Sequence, residues 1–162
     1  MNNLVSGVFC ALLGGGAVAG VQYKDQRDTQ IFEDKVTHAV VQIFDGRQTV
    51  DRSTHATDYY AFPLIVFYGK TNLDQAQYQA EAATFWSKYE YVDVGVTNID
   101  ILDKADVFGY VHVTVDATVS RVLRSGSCRE QTADSTYLLT LELLPVGYRI
   151  RGERESATPL TC

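Results

Sequence analysis

The sequence predicts an α+β fold, in which helices near the start of the chain are followed by long antiparallel strands. Apolar residues recur at steps of three and four from Ile31 to Ile43, as they do in an amphipathic helix. After Glu90 the apolar spacing changes to two, the period of half-buried strands. A chain of 162 residues with 46% hydrophobic and 21% charged residues fits one globular domain. We therefore expect N-terminal helices packed on one face of a bent antiparallel sheet.

The first twenty residues differ from the rest, because no charged side chain occurs from Leu4 to Val21. The run contains Ala17-Val18-Ala19, the small-x-small pattern that signal peptidases cut, which predicts export and cleavage after Ala19. An uncut membrane anchor and a buried segment of a cytosolic protein are the alternatives. We assign residues 1–20 to a signal peptide or membrane anchor, residues 21–30 to a polar tether, and residues 31–162 to the folded domain.

Two cysteines, Cys128 and Cys162, remain once the leader is removed. An even pair in an exported domain is a disulfide candidate, and closing the loop between them would contribute about 3–4 kcal/mol. Two unpaired thiols in a cytosolic protein are the alternative. Neither Cys-x-x-Cys nor a zinc-ligand spacing occurs, so we expect no metal and no other cofactor.

The charge balance bears on possible partners, since 14 Lys and Arg face 20 Asp and Glu, for a formal net charge of −6. Binding to nucleic acid needs clustered basic side chains that neutralise phosphates, so we expect no nucleic-acid partner. Gly14 to Gly16 are not followed by the Lys and Ser/Thr of a phosphate-binding loop. Nucleotide binding therefore has no support.

Two helices are predicted before the first strand. The first begins at Ile31, and Gly46 is expected to end it as a C′ residue. The second spans about residues 50–61 and is stopped by Pro63. On this second helix His55 lies four positions after Asp51, a pair that is typical of a solvated helix face.

A buried strand and a third helix follow. The apolar run at residues 64–68 predicts a strand that is covered on both faces. Residues 69–71 are expected to turn the chain. Asn72, with Gln75 three positions later, predicts the N-cap of the helix. The alanines of its early turns are expected to pack against the sheet; they are Ala76, Ala80 and Ala83.

The remaining residues predict strands. The alternation of apolar residues changes phase near Asn98, which predicts a bulge, and a turn is expected at residues 103–106. The clearest strand follows from Val107 to Ser120, with valines on its core face. A polar loop at residues 124–135 separates it from a strand near residues 136–143. The last strand is predicted at residues 148–151.

His112 and Asp116 fall on the outer face of that clearest strand. Their spacing places them about 13 Å apart, which is too far for a catalytic dyad. We therefore assign no catalytic residue.

Residues 59–89 resemble the helix–strand–turn–helix signature of the NTF2-like, or SnoaL-like, superfamily in its exported bacterial form. The segments that carry the likeness are Tyr59-Tyr60-Ala61, Val66-Phe67-Tyr68-Gly69, Phe85-Trp86 and Gly147-Tyr148-Arg149-Ile150. The resemblance covers about residues 31–155 and implies a cone-shaped α+β domain, often a homodimer through its outer sheet face. Four aromatic residues are expected to line the mouth of the cone: Tyr59, Tyr60, Phe67 and Trp86.

The resemblance does not imply one function, because superfamily members include enzymes, transport factors and envelope proteins. Our leading hypothesis is an exported, non-catalytic domain, periplasmic or secreted, that binds a protein partner or a small apolar ligand. One alternative is a small enzyme of the isomerase or dehydratase type that uses acid/base chemistry on a hydrophobic substrate. The other is a subunit of an envelope-spanning secretion or conjugation system, anchored in the inner membrane through uncut residues 1–20.

Overall fold

The fold is described from a computed structural model, which covers residues 9–48, 52–126 and 131–157. Its contacts divide the chain into two units, residues 1–36 and residues 37–162. The elements are α1 (Phe9–Gln48), α2 (Arg52–Tyr59), β1 (Leu64–Phe67), β2 (Lys70–Leu73), α3 (Gln75–Trp86), β3 (Glu90–Val107), β4 (Tyr110–Arg124), β5 (Gln131–Leu144) and β6 (Gly147–Ala157). The predicted disulfide residues, Cys128 and Cys162, lie outside the described residues. None of the helices in the described ranges is long and apolar enough to cross a membrane.

The six strands form one sheet in the order β2-β1-β6-β5-β4-β3. The mixed α+β class is therefore confirmed, but the sheet is not purely antiparallel, because β1 pairs with β6 in parallel. The long strands β3 to β6 are joined antiparallel, as the alternating pattern predicts. Between β1 and its parallel partner β6 the chain forms β2, α3, β3, β4 and β5.

Helix α1 is longer than predicted at both ends. It begins at Phe9 and continues through residues 21–30, and it does not stop at Gly46 but reaches Gln48. Gly46 is buried, and a Cβ at this position would lie 2.3 Å from Cε2 of Tyr59. Gly46 therefore does not end α1. It allows the Tyr59 ring to pack closely against the helix.

A short hairpin replaces the turn predicted at residues 69–71. Tyr68 and Gly69 take positive φ angles of 47° and 82°, and the chain returns as β2 beside β1. Because β2 includes Asn72, that residue is not the N-cap of α3. The cap is Asp74, whose side chain accepts from the Gln77 N–H at 2.8 Å, while Oε1 of Gln77 accepts from the Asp74 N–H at 2.9 Å.

Two predicted burial patterns are wrong. Strand β1 is not fully covered on both faces, because Ile65 is 47% exposed while Leu64 and Phe67 are buried. On α3 the buried residue is Tyr78, and the alanines predicted to face the sheet are exposed; they are Ala76, Ala80 and Ala83. The aromatic ring buries more apolar area than a methyl group does, so it determines which face of the helix turns inward.

The long strands follow the alternating pattern closely. The pairing of β3 with β4 shifts between Val96 and Asn98, which confirms the predicted bulge. The turn predicted at residues 103–106 is wrong, because β3 continues through these residues. The chain reverses at Phe108-Gly109, which have φ angles of 53° and 85°. The core face of β4 is as predicted, with buried Val113, Val115, Ala117 and Val119.

Two predicted limits of the last strands are also wrong. Strand β5 begins at Gln131, within the predicted polar loop. Strand β6 runs to Ala157, well beyond residue 151, and its added residues include Gly152 and Glu153, which pair with β1.

Candidate functional site

A cavity of about 210 Å³ lies in the unit of residues 37–162. Half of the residues that line it are Tyr, Phe or Trp; they are Tyr60, Phe67, Tyr68, Tyr78, Phe85 and Trp86. Polar side chains also line it: Arg47, His55 and Glu153, with Lys70 and Glu81 forming an exposed ion pair. The cavity thus combines a large apolar surface with a small group of charged and hydrogen-bonding atoms, as ligand sites commonly do.

Three of the polar groups form a buried network. Nη2 of Arg47 lies 2.7 Å from Oε2 of Glu153, and the two side chains are 4% and 1% exposed. The Tyr60 hydroxyl donates to the same carboxylate oxygen at 2.8 Å and accepts from Nη2 of Arg47 at 3.0 Å. The three groups satisfy one another, so the network does not need a ligand to balance its charges.

Tyr60 acts as the neutral donor of this network. Burial raises the pKa of its hydroxyl well above 10, an effect that the nearby Arg47 guanidinium opposes and the Glu153 carboxylate reinforces. The phenol therefore stays protonated at neutral pH and keeps donating to Glu153. Its main chain is held by β6, with a bridge from Tyr60 to Ile150 and a 2.9 Å hydrogen bond from the Ala61 N–H to the Ile150 carbonyl.

Arg47 is positioned by the last turn of α1 and by two aromatic rings. Its guanidinium carbon lies 4.5 Å from the Phe44 ring centroid and 5.2 Å from that of Tyr137. These distances are typical of cation–π contacts, which favour a charge that is held out of water. Glu153 is placed opposite on β6, in register with Phe67 of β1.

A second polar group extends the network along β6. The Tyr68 hydroxyl donates to Glu155, whose Oε1 lies 2.5 Å from Nη2 of Arg121. Nη1 of Arg121 donates to the Tyr137 hydroxyl at 3.0 Å. Buried charges on β4 and β6 are therefore paired in the same way as Arg47 and Glu153.

His55 lines the cavity with a side chain whose hydrogen bonding is incomplete. The side chain lines the cavity and is 6% exposed, with its ring 4.9 Å from the Tyr59 ring and 5.6 Å from that of Tyr60. Burial is the main cause that lowers the pKa of His55 from 6.5 to about 4, and the positive charge of Arg47 is the second cause. A hydrogen bond to the main chain of Ile43 opposes the shift. The imidazole is therefore neutral at pH 7. Nε2 of the His55 imidazole is buried and has no hydrogen-bond partner among the residues that the structure describes.

Of the four residues predicted to line the site, Tyr60, Phe67 and Trp86 border this cavity. Tyr59 does not; it borders a separate surface groove near Asp45 and Asp58. The predicted solvated position of His55 is wrong, because α2 turns this residue inward.

Arg47 and Glu153 were not singled out from the sequence, where each is one charge among many. The one sequence feature that sets Arg47 apart is its position directly after Gly46, the residue predicted to end the first helix. Within the described ranges, no cluster of three or more His, Cys, Asp or Glu side chains is placed to hold a metal ion.

Comparison of the sequence with protein-family models and with curated proteins found no match. Among solved structures, the chain is similar to a Streptomyces avermitilis protein described as a "putative dehydratase from the NTF2-like family". The similarity has a TM-score of 0.56 and covers 83% of this chain and 99% of that chain, at 14% sequence identity. The chain has an NTF2-like fold. In the NTF2-like domain, the cavity is bordered by the end of α1, α2, the β1–β2 hairpin, α3 and β6.

Proposed function

We propose that the NTF2-like domain binds a small, largely apolar molecule in the cavity. The observation that carries the proposal is a cavity of about 210 Å³ whose aromatic wall adjoins a buried polar cluster of Arg47, Glu153 and Tyr60. Aromatic rings supply a large apolar contact area, and a few fixed polar atoms orient the bound molecule.

The volume limits the size of the ligand. Drug-sized sites occupy about 300–1,000 Å³, which is more than this cavity offers. An engineered apolar cavity of about 150 Å³ holds benzene. A cavity of about 210 Å³ therefore suits a molecule of about one or two six-membered rings.

An acid/base enzyme of the dehydratase type is the second candidate, because His55 lies in the cavity and the solved relative carries that description. A general base works best when its pKa lies near the working pH. The pKa of about 4 makes His55 a weak base at pH 7, which favours binding over catalysis. Enzymatic release of water from a small cyclic β-hydroxy ketone, abolished in His55→Gln, would favour the second candidate.

Adjacent alanines on α3 allow a direct test of the binding site. Ala82 lines the cavity, whereas Ala83 is exposed on the same helix. We expect 2-methoxynaphthalene, measured by equilibrium dialysis, to bind the wild-type domain and Ala83→Phe equally. Ala82→Phe should abolish binding, because the added ring fills the cavity. Equal binding by the two variants would place the ligand elsewhere, and no binding to wild type would refute the proposal.

We further propose that the protein is exported, with its leader cut after Ala19. The uncharged run and the small-x-small site support this location, and an uncut inner-membrane anchor is the alternative. Mass spectrometry of the protein from its native host should show a chain that begins at Gly20. An intact Met1 would contradict cleavage.

A Cys128–Cys162 disulfide belongs to the same proposal, because an exported domain with two cysteines favours a bridge. Thiol labelling of the unfolded, unreduced protein should modify neither residue. Labelling of both would rule the bridge out.

The homodimer through the outer sheet face also stays a proposal. Leu138, on β5, is 38% exposed and supplies an apolar group that a partner would cover. Leu138→Glu should convert a dimer into a monomer in analytical ultracentrifugation, because a carboxylate is costly to bury. A wild-type monomer at high micromolar concentration would contradict it.

A further inference from the structure

We infer that the cavity selects ligands in which an aromatic ring carries a zwitterionic head group, as in an aromatic α-amino acid. The inference rests on the proposed function and names the chemical class of the ligand. Two features of the cavity carry it: an aromatic interior that suits the ring, and an exposed pair of opposite charges in the lining, Lys70 and Glu81.

Lys70 and Glu81 mark the place where the cavity opens to solvent. Both side chains line the cavity, and they are 55% and 41% exposed. The other two charged side chains of the described lining, those of Arg47 and Glu153, are only 4% and 1% exposed. A charged group of a bound molecule is therefore met by charge at the opening. It also stays partly hydrated there, which avoids the cost of burying it.

The two exposed charges come from different elements of the fold. Lys70 begins β2, and Glu81 lies in the middle of α3. Nζ of Lys70 donates to Oε1 of Glu81. An ammonium group has three donors and a carboxylate accepts several hydrogen bonds, so both groups retain capacity for a ligand while the pair stays formed.

A close pair of opposite charges distinguishes between head groups by their charge. A head group with a single charge is attracted by one member of the pair and repelled by the other at a similar distance, so the two energies largely cancel. A zwitterion that lies antiparallel to the pair brings its carboxylate to Lys70 and its ammonium to Glu81. Both contacts are then attractive, so the pair favours a dipolar head group over either ion alone.

The interior of the cavity suits the ring of the same ligand. Phe85 lies four positions after Glu81, so one face of α3 presents both an aromatic ring and a carboxylate to the cavity. Deeper charge offers no advantage to the head group, because Arg47 and Glu153 already compensate each other. The ring is therefore expected inside, with the head group at the opening.

Four indoles with a two-carbon side chain separate the kinds of head group. At pH 7, L-tryptophan is a zwitterion, tryptamine a cation, indole-3-propionate an anion, and 3-ethylindole uncharged. In equilibrium dialysis at low ionic strength, we expect L-tryptophan to bind about three- to tenfold more tightly than either singly charged analogue, because exposed ion pairs contribute modestly. The preference should decrease as salt is added, since salt screens exposed charges.

Three variants assign the preference to the pair. Lys70→Met leaves Glu81 alone, so tryptamine should become a tighter ligand than L-tryptophan. Glu81→Gln leaves Lys70 alone, so indole-3-propionate should do the same. The double reversal of Lys70→Glu with Glu81→Lys restores a pair and should restore the preference for L-tryptophan. Each affinity is expressed relative to that of 3-ethylindole in the same variant, which corrects for changes at the ring site.

Lys88 supplies a matched control. It is exposed just beyond the end of α3 and does not border the cavity. Lys88→Met changes the net charge by the same amount as Lys70→Met, so it should leave the order of the four indoles unchanged. Loss of the preference in Lys88→Met would assign it to the overall charge of the protein and overturn the inference.

The remaining outcomes separate the inference from the proposed function. Binding of 3-ethylindole without a preference for L-tryptophan over both charged analogues would overturn the inference and leave the binding of apolar rings intact. The same holds for a preference that persists in Lys70→Met and Glu81→Gln, or that the double reversal does not restore. Failure of all four indoles to bind would overturn the proposed function as well.

Discussion

Nη2 of Arg47 and Oε2 of Glu153 lie 2.7 Å apart, although 106 positions separate the two residues in the chain. The pair joins the end of α1 to β6, and neither side chain is more than 4% exposed. Each charge compensates the other in a buried site, so the pair does not supply an uncompensated charge for a ligand.

Removal of the charge on Glu153 should destabilise the domain strongly. Glu153→Gln leaves the Arg47 guanidinium buried without its counter-ion, and breaking such a pair typically costs about 3–5 kcal/mol. We expect a decrease of that order in the free energy of unfolding, measured by urea denaturation. The matched control is Glu81→Gln, because its partner Lys70 is 55% exposed in the side chain. The control should change stability by less than about 1 kcal/mol, and equal losses would contradict the assigned role.

The hydroxyl of Tyr60 should contribute to stability through the same network. Tyr60→Phe keeps the ring but removes the donor to Glu153 and the acceptor for Arg47. Leaving buried polar groups without a partner costs about 1–3 kcal/mol, which thermal or urea unfolding will detect. Tyr110→Phe is the control, because Tyr110 is 52% exposed and the change should be near zero. A Tyr60→Phe domain as stable as wild type would show that the hydroxyl is dispensable.

The buried imidazole of His55 predicts a dependence of stability on pH. The folded-state pKa is about 4 and the unfolded value is 6.5, so the unfolded chain binds the proton first as pH falls. The stability contribution is present above pH 6.5 and is lost progressively down to about pH 4, by roughly 3 kcal/mol. We will measure the free energy of unfolding of wild type and of His55→Gln at intervals of pH across this range. As pH falls from 6.5 to 4, the stability of wild type relative to the variant should decrease by roughly 3 kcal/mol. The exposed His38, changed to Gln, should leave the pH profile unaltered.

Gly46 should not tolerate a side chain. In Gly46→Ala the new Cβ would lie 2.3 Å from Cε2 of Tyr59, so the ring must shift away from α1. Overpacking of this kind costs about 1–3 kcal/mol. Gly95→Ala on β3 is the matched control, because no atom lies within 4 Å of its added Cβ. We expect Gly95→Ala to be neutral or slightly stabilising, and a Gly46→Ala domain of equal stability would show that Tyr59 repacks without cost.

The strands could be predicted because their residues alternate strictly. On β4 the valines and Ala117 are buried at every second position, and the phase change near Asn98 corresponds to an actual register shift. The turns could not be predicted in the same way. Asp103-Lys104-Ala105-Asp106 has the polar composition of a turn, yet the chain reverses at Phe108-Gly109, because the long ladder between β3 and β4 continues to Val107.

The cap of α3 shows why short motifs leave alternatives open. Asn72 with Gln75, and Asp74 with Gln77, both have the spacing of a capping box. The pairing of Lys70–Leu73 with β1 decides between them, because it places Asn72 in a strand. Pairing of this kind depends on residues outside the motif.

The sequence by itself determined the order of the helices and long strands and the apolar face of β4, since these follow from local periodicity and composition. Its resemblance to the NTF2-like superfamily indicated three aromatic residues that border the cavity. The tertiary structure alone decided that Arg47, His55 and Glu153 meet. Arg47 and Glu153 come from the end of α1 and from β6, and only the parallel β1–β6 pairing and the packing of Tyr78 bring such distant residues to one buried site. Burial then changes their chemistry, because a charge or an imidazole removed from water must find a partner or become neutral.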